Sequence, residues 1–169
     1  MCLTLTSNWK ENTKYYQSLD KPFVAWKIFR VKDMISRHCT VNSIFRSYKW
    51  KNGVNVSNRE NKKITDLEIR YRRINKGIHS FAHYNDAKDY MGYMGKMRAY
   101  IVLPVKIFPK NVVAIGRYGS RSCIVSHKVT IRFNQRRITK ILTPHSLRSK
   151  NNYNRYYCKE IVNKWNLIW

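Results

Sequence analysis

The chain has 169 residues, 43% of them apolar and 14% aromatic, with 34 Lys and Arg against 9 Asp and Glu for a formal net charge of +25. That size and apolar content suit one globular domain with a real core and exclude a disordered chain. So large an excess of positive charge repels itself in a compact fold and calls for an anionic partner, nucleic acid first and an acidic protein surface second.

Residues 1 to 20 are polar, with Trp9, Tyr15 and Tyr16 as their large apolar groups, and Lys21-Pro22 closes them off. The start has no charged segment followed by an apolar one, and no run approaches the roughly 18 apolar residues of a membrane span. A cytoplasmic protein without membrane contact is therefore expected. Cys2, Cys39, Cys123 and Cys158 are widely spaced and form no CxxC, so they read as free thiols.

Phe23 to Val31 is a strand pattern in which Trp26 and Ile28 point one way and Lys27, Phe29 and Val31 the other, as befits a central strand. Val41 to Trp50 reads as a second aromatic strand, ending at the Asn52-Gly53 turn signal. Asn55 to Lys63 is a polar loop. From Ile64 to Ile74 the spacing fits helix and strand alike: Ile64, Leu67, Tyr71 and Ile74 recur at helical intervals, while Leu67, Ile69 and Tyr71 alternate. Asn75-Lys76-Gly77 turns into Ile78-His79-Ser80-Phe81, and Asn85-Asp86 marks the start of a helix carrying Ala87, Tyr90, Met91 and Met94.

The stretch Ala99 to Phe133 is the most committed to structure. Tyr100 to Phe108 and Cys123 to Phe133 are rich in β-branched and aromatic residues and read as strands, with short strand and turn signals between them. From Met91 to Lys159 there is no Asp or Glu against 15 Lys and Arg. The division expected is a core at residues 1–135 and a basic, Tyr-rich extension at 136–169, whose Ile161, Val162, Trp165, Ile168 and Trp169 suggest a terminal helix docking on the core.

Trp26-Lys27-Ile28-Phe29, then Gly77-Ile78-His79-Ser80-Phe81 leading into Asn85-Asp86-Ala87, then Ser122 to Ile131 with its Lys-Val-x-Ile ending, resemble a group of small, largely phage-encoded domains of uncharacterised function. The resemblance covers residues 23 to 133 and implies a phage or mobile-element protein, as does a composition rich in Asn, Ile, Lys and Tyr.

For chemistry, His79 and His83, and likewise Cys123 and His127, mimic zinc-ligand spacing. On strands, four residues place such side chains about 13 Å apart, beyond shared coordination, so neither metal nor cofactor is expected. A metal-free ribonuclease would use His79, His83 and His127 as acid and base, with Lys128 steadying the phosphorane charge. An ADP-ribosyltransferase would need a late-strand Glu, which the acid-free stretch denies it. Gly116 to Ser122 is either a phosphate-gripping loop or an ordinary turn carrying two arginines.

Taken together, an α+β fold is expected, with a single mixed or antiparallel sheet and a few short helices. The function expected is binding of nucleic acid, RNA or a ribonucleoprotein, in the service of a mobile element acting on host machinery. Arg117, Arg121, Arg132, Arg136, Arg137, Lys140, Arg148, Lys150 and Arg155 would contact phosphates, and Tyr153 and Tyr156 would stack on bases. The alternatives are the ribonuclease and an inhibitor docking on an acidic host protein.

Overall fold

The computed structural model of the chain describes residues 3–32, 40–44, 49–57, 64–94 and 100–133. In chain order these form β1 (Leu3–Thr4), α1 (Trp9–Gln17), β2 (Phe23–Lys32), β3 (Thr40–Ser43), β4 (Gly53–Val56), α2 (Asp66–Arg70), β5 (Arg73–Ile74), β6 (Ile78–Phe81), α3 (Tyr84–Tyr93), β7 (Tyr100–Ile107), a 3-10 turn (Pro109–Asn111), β8 (Val112–Tyr118), β9 (Arg121–Ser126) and β10 (Lys128–Ile131). The fold is α+β. One antiparallel sheet runs β4-β10-β7-β2-β6-β9-β8-β1-β5, with β3 paired to β2 off that path. Residues 136–169, and with them the extension and its expected terminal helix, lie outside the described residues.

β2 and β7 form the spine, paired from Phe23 opposite Ile107 to Arg30 opposite Tyr100. Their β-branched and aromatic side chains suit a pleated surface buried on both sides, which removes the need for strict polar alternation. The other edge of β2 is shared. Trp26 pairs with Phe81 of β6, whereas Phe29 to Lys32 pair with β3. The expected face division holds: Ala25, Phe29 and Val31 join one apolar cluster with Ile101, Leu103, Ile115 and Ile124, and Ile28 joins the other with Phe81, Val102 and Cys123, against which Trp26 packs.

Sequence order and strand order conflict in one informative place. Only His127 separates β9 from β10, yet the two lie four positions apart along the sheet. At about 4.8 Å per strand a flat sheet would put them about 19 Å apart, while two Cα steps cover at most about 7.6 Å. The sheet must therefore curl back on itself. The corner is fastened on both sides: His127 N donates to Asn111 O at 3.1 Å, and Ser57 N donates to His127 O at 2.8 Å. The single expected run from Cys123 to Phe133 is thus two strands that belong to different halves of the sheet.

Two helices close the structure. β1 is so short that it covers β8 only at Arg117, and α1 covers the rest of that edge. Ile115 N donates to Thr13 Oγ1 at 3.0 Å, and Gln17 Nε2 donates to Val112 O at 2.9 Å, so the edge is satisfied by side chains instead of a further strand. α3 lies on the opposite face through buried Ala87 and Met91, with Tyr84 edge-on to Trp26 at 5.1 Å. The segment from Ile64 to Ile74 uses both conformations that its spacing permits, as α2 and then β5. Of the expected strand from Val41 to Trp50, residues 41–43 lie in β3 and 45–48 lie outside the described residues, while its two ends pair with each other: Trp50 N donates to Val41 O, and Lys49 bridges Asn42.

Candidate nucleic-acid interface

β8 and β9 form a hairpin in which Tyr118 pairs with Arg121 across the turn residues Gly119 and Ser120. Gly119 has φ +61, while Ser120 is not among the positive-φ residues, the sign pattern of a type II′ turn that needs glycine first. The stretch from Gly116 to Ser122 is therefore a tight turn carrying two arginines. Successive side chains on a strand point to opposite faces, so Arg117 and Arg121 leave the hairpin on opposite sides.

On the side of Arg121 stands a group of tyrosines supplied by α3 and β8. The Arg121 guanidinium lies 5.1 Å from the Tyr93 ring centre and 6.0 Å from that of Tyr90. Tyr90 packs edge-on against Tyr118 at 4.9 Å and donates a long hydrogen bond, 3.4 Å, to its hydroxyl. Burial, then this hydroxyl contact, raises the Tyr90 pKa, so the phenol stays neutral. Tyr93 is 77% exposed, leaving most of its ring available beside the guanidinium that lies over it. The helix is registered against the hairpin by Asp86, whose Oδ2 accepts from Ser122 N at 3.1 Å. A planar cation held on an exposed aromatic ring offers a π-face and a phosphate fork within one side-chain length.

The other expected phosphate contacts separate into two groups. Arg132 is exposed just past the end of β10, and Lys128, expected only in the ribonuclease reading, is exposed at the start of β10, beyond the far end of β9 from Arg121. At about 3.3 Å per residue the strand places Lys128 roughly 20 Å from the hairpin turn. Arg136, Arg137, Lys140, Arg148, Lys150, Tyr153, Arg155 and Tyr156 lie outside the described residues.

The ribonuclease residues are dispersed. His79 is buried on β6, with Nε2 2.9 Å from Lys76 O; His83 is exposed at the N-cap of α3; His127 is half-buried at the β9–β10 corner. His127 follows Ser126, which pairs with Ile78 at the beginning of β6, whereas His83 lies past the end of that strand. The structure does not gather the three around one reacting atom. Among the described residues, no group of three or more His, Cys, Asp or Glu could hold a metal ion. No helix among them is long and apolar enough to cross a membrane.

Two features escape a reading by sequence motif. Tyr90 reads in the sequence only as a helix residue and Tyr93 carries no motif, and only the packing of α3 on the hairpin brings them to Arg121. Lys27, on a central strand, donates from Nζ to His79 O at 2.8 Å and lies 5.4 Å from the Trp50 ring centre and 6.0 Å from that of Phe29. Burial lowers its pKa to about 8, with the nearby Cys123 thiol a smaller opposing influence. Burial, reinforced by the Asp86 carboxylate, in turn pushes Cys123 up to about 12, which makes it an inert thiol.

Comparison with protein-family models, with curated proteins and with solved structures finds no match for this chain.

Proposed function

We propose that the protein is a non-enzymatic nucleic-acid-binding module that prefers single-stranded RNA. The observation that carries this is the exposed Tyr93 ring with the Arg121 guanidinium over it at the end of a hairpin, in a chain of net charge +25. Aromatic faces stack bases without demanding a sequence, and adjacent cations hold the backbone. Splayed bases of a single strand reach such a platform, whereas bases paired within an A-form helix do not.

Fluorescence anisotropy with a labelled twelve-residue oligouridine tests the reading. Tyr93→Ala and Arg121→Ala should each weaken binding by about 1 to 3 kcal/mol, the range for loss of one stacked base. RNA recovered intact from the complex would separate binding from cleavage. A wild-type protein that binds neither RNA nor DNA at low salt would overturn the proposal, and two variants that bind as tightly as wild type would remove Tyr93 and Arg121 from the interface.

A further inference from the structure

We infer that Arg70, Tyr71, Arg72, Arg73 and Arg117 form a second contact for the same single strand, which crosses the hairpin end from one face of the sheet to the other. The inference rests on the nucleic-acid reading above and extends it to residues on a different edge of the fold.

Sheet register brings together residues that are far apart in sequence. Thr4 pairs with Arg73 on one side and with Arg117 on the other, so the two arginines flank one small residue across three adjacent strands. Two strand spacings set them about 10 Å apart. Leu3 and Ile74 are paired and fully buried, which turns Thr4 and Arg73 to the opposite face; all three residues of the row are exposed. The turn that delivers Arg73 is fixed by Leu5 N donating to Arg72 O at 2.9 Å and by Arg72 N donating to Ile69 O at 3.1 Å. Arg72 itself adopts a left-handed φ of +50, an unfavourable conformation for an arginine and one that lets the chain reverse between α2 and β5. Tyr71 projects from this turn with 68% of its surface exposed.

These cations have no acid to answer among the described residues. Among the described residues none of Arg70, Arg72, Arg73 and Arg117 makes a side-chain hydrogen bond or an ion pair, and the nearby Glu68 is already taken by Lys76 at 2.7 Å and by Thr65. Four arginines without a partner among the described residues, three of them beside exposed Tyr71 in the chain, put cations and an aromatic ring at this edge of the sheet. The path between the two groups is the Gly119-Ser120 turn, which presents no bulky side chain to obstruct a strand. The arrangement also depends on Gly116. A Cβ at that position would stand 2.4 Å from Thr4 O and 2.8 Å from the Leu3 side chain, so only glycine lets β1 sit against β8 and hold the row in register.

The test is the salt dependence of oligouridine binding by the full chain. Changing Arg70, Arg72, Arg73 and Arg117 together to Gln should flatten the slope of log affinity against log salt by roughly 0.7 for each phosphate no longer neutralised, about 2 to 3 in all, and weaken binding at least tenfold at low salt. Changing Lys14, Lys21, Lys51 and Lys110 to Gln removes the same charge from exposed sites elsewhere and should move the slope by less than about 1. Gly116→Ala removes no charge yet should also weaken binding by displacing β1; if it fails to fold, the arginine set, checked by circular dichroism and melting temperature, still decides the matter. Equal losses from the arginine and lysine sets, or an arginine set that binds as wild type does, would overturn the inference while leaving the role of Tyr93 and Arg121 intact. Loss of binding in the arginine set, with Tyr93→Ala and Arg121→Ala unaffected, would support this second contact and refute the first. A wild-type protein that ignores oligonucleotides would end both.

Discussion

Replacing Lys27 by methionine isolates the consequence of burying an amine in the sheet. The substitution keeps an unbranched stem of similar length and deletes the charge that burial disfavours. With the amine at about 8 in the folded chain and at its ordinary 10.5 in the unfolded one, the protonated form costs the native state about 3 kcal/mol at pH 6.5. The sign follows from proton counts. Between those two values the unfolded chain binds more protons, so the Lys27 contribution to stability rises with pH, and the penalty present below pH 8 is relieved as pH climbs towards 10.5. At pH 9.5 about 1 kcal/mol remains. The stability difference between Lys27→Met and wild type should therefore shift by about 2 kcal/mol between pH 6.5 and 9.5, the variant losing ground as pH rises. Urea unfolding followed by tryptophan fluorescence reads it, since Trp50 lies beside the amine. Using a difference matters because the raised pKa values of Cys123 and Tyr90 lower stability above about pH 9, an effect that the two proteins share apart from the small influence of Lys27 on the Cys123 thiol. A difference that stays constant across this range would refute the burial argument.

Gly77→Ala should destabilise the fold by about 2 kcal/mol or more, because φ is +79 and the new Cβ would stand 2.6 Å from Val125 Cγ1 and 3.1 Å from Ser126 O; a thermal melt checks this. Asn52→Ala should cost about 1 to 3 kcal/mol, since Asn52 Nδ2 donates to Phe133 O at 2.8 Å and Oδ1 accepts from Phe133 N at 2.7 Å. The same variant should expose the Phe133 amide to faster hydrogen exchange. Unchanged protection there would show that the paired bonds do not hold the end of the described chain.

The elements most legible in the sequence were those whose stability is local or follows from apolar pattern alone. β2 and β7 stood out by composition, and the opposite facing of Trp26 and Lys27 followed from strand period. The helix read from Asn85-Asp86 exists, beginning one residue earlier at Tyr84 with Asp86 in its first turn. What the sequence concealed was whatever tertiary contact decides. α1 buries Thr13 and is anchored on β8 by Thr13 and Gln17, two polar residues that no apolar periodicity reveals. The break at His127 carries no glycine or proline to announce it; backbone hydrogen bonds from Asn111 and Ser57 impose it. The candidate site was half legible for the same reason. Arg117 and Arg121 were evident as cations in a turn, but Tyr93 reaches Arg121 only through the docking of α3, and Arg73 reaches Arg117 only through β1. Glu68 was a bare carboxylate on paper. In the fold, burial pushes its pKa up, but hydrogen bonds from Lys76 and Thr65 outweigh that and hold it below the ordinary value.

The lone-residue link at His127 also bears on the order in which a ribosome delivers this chain. β2 emerges early with apolar side chains on both faces, yet its long partner β7 begins at Tyr100. β1 waits for Arg117, and β4 for the strand that starts at Lys128. At roughly 5 to 20 residues per second, β2 stays without its main partner for several seconds, and the sheet cannot curl shut until the corner has left the exit tunnel. Such a nascent chain offers apolar surface and open strand edges to chaperones throughout that interval, and its final closure resembles a clasp more than a zipper.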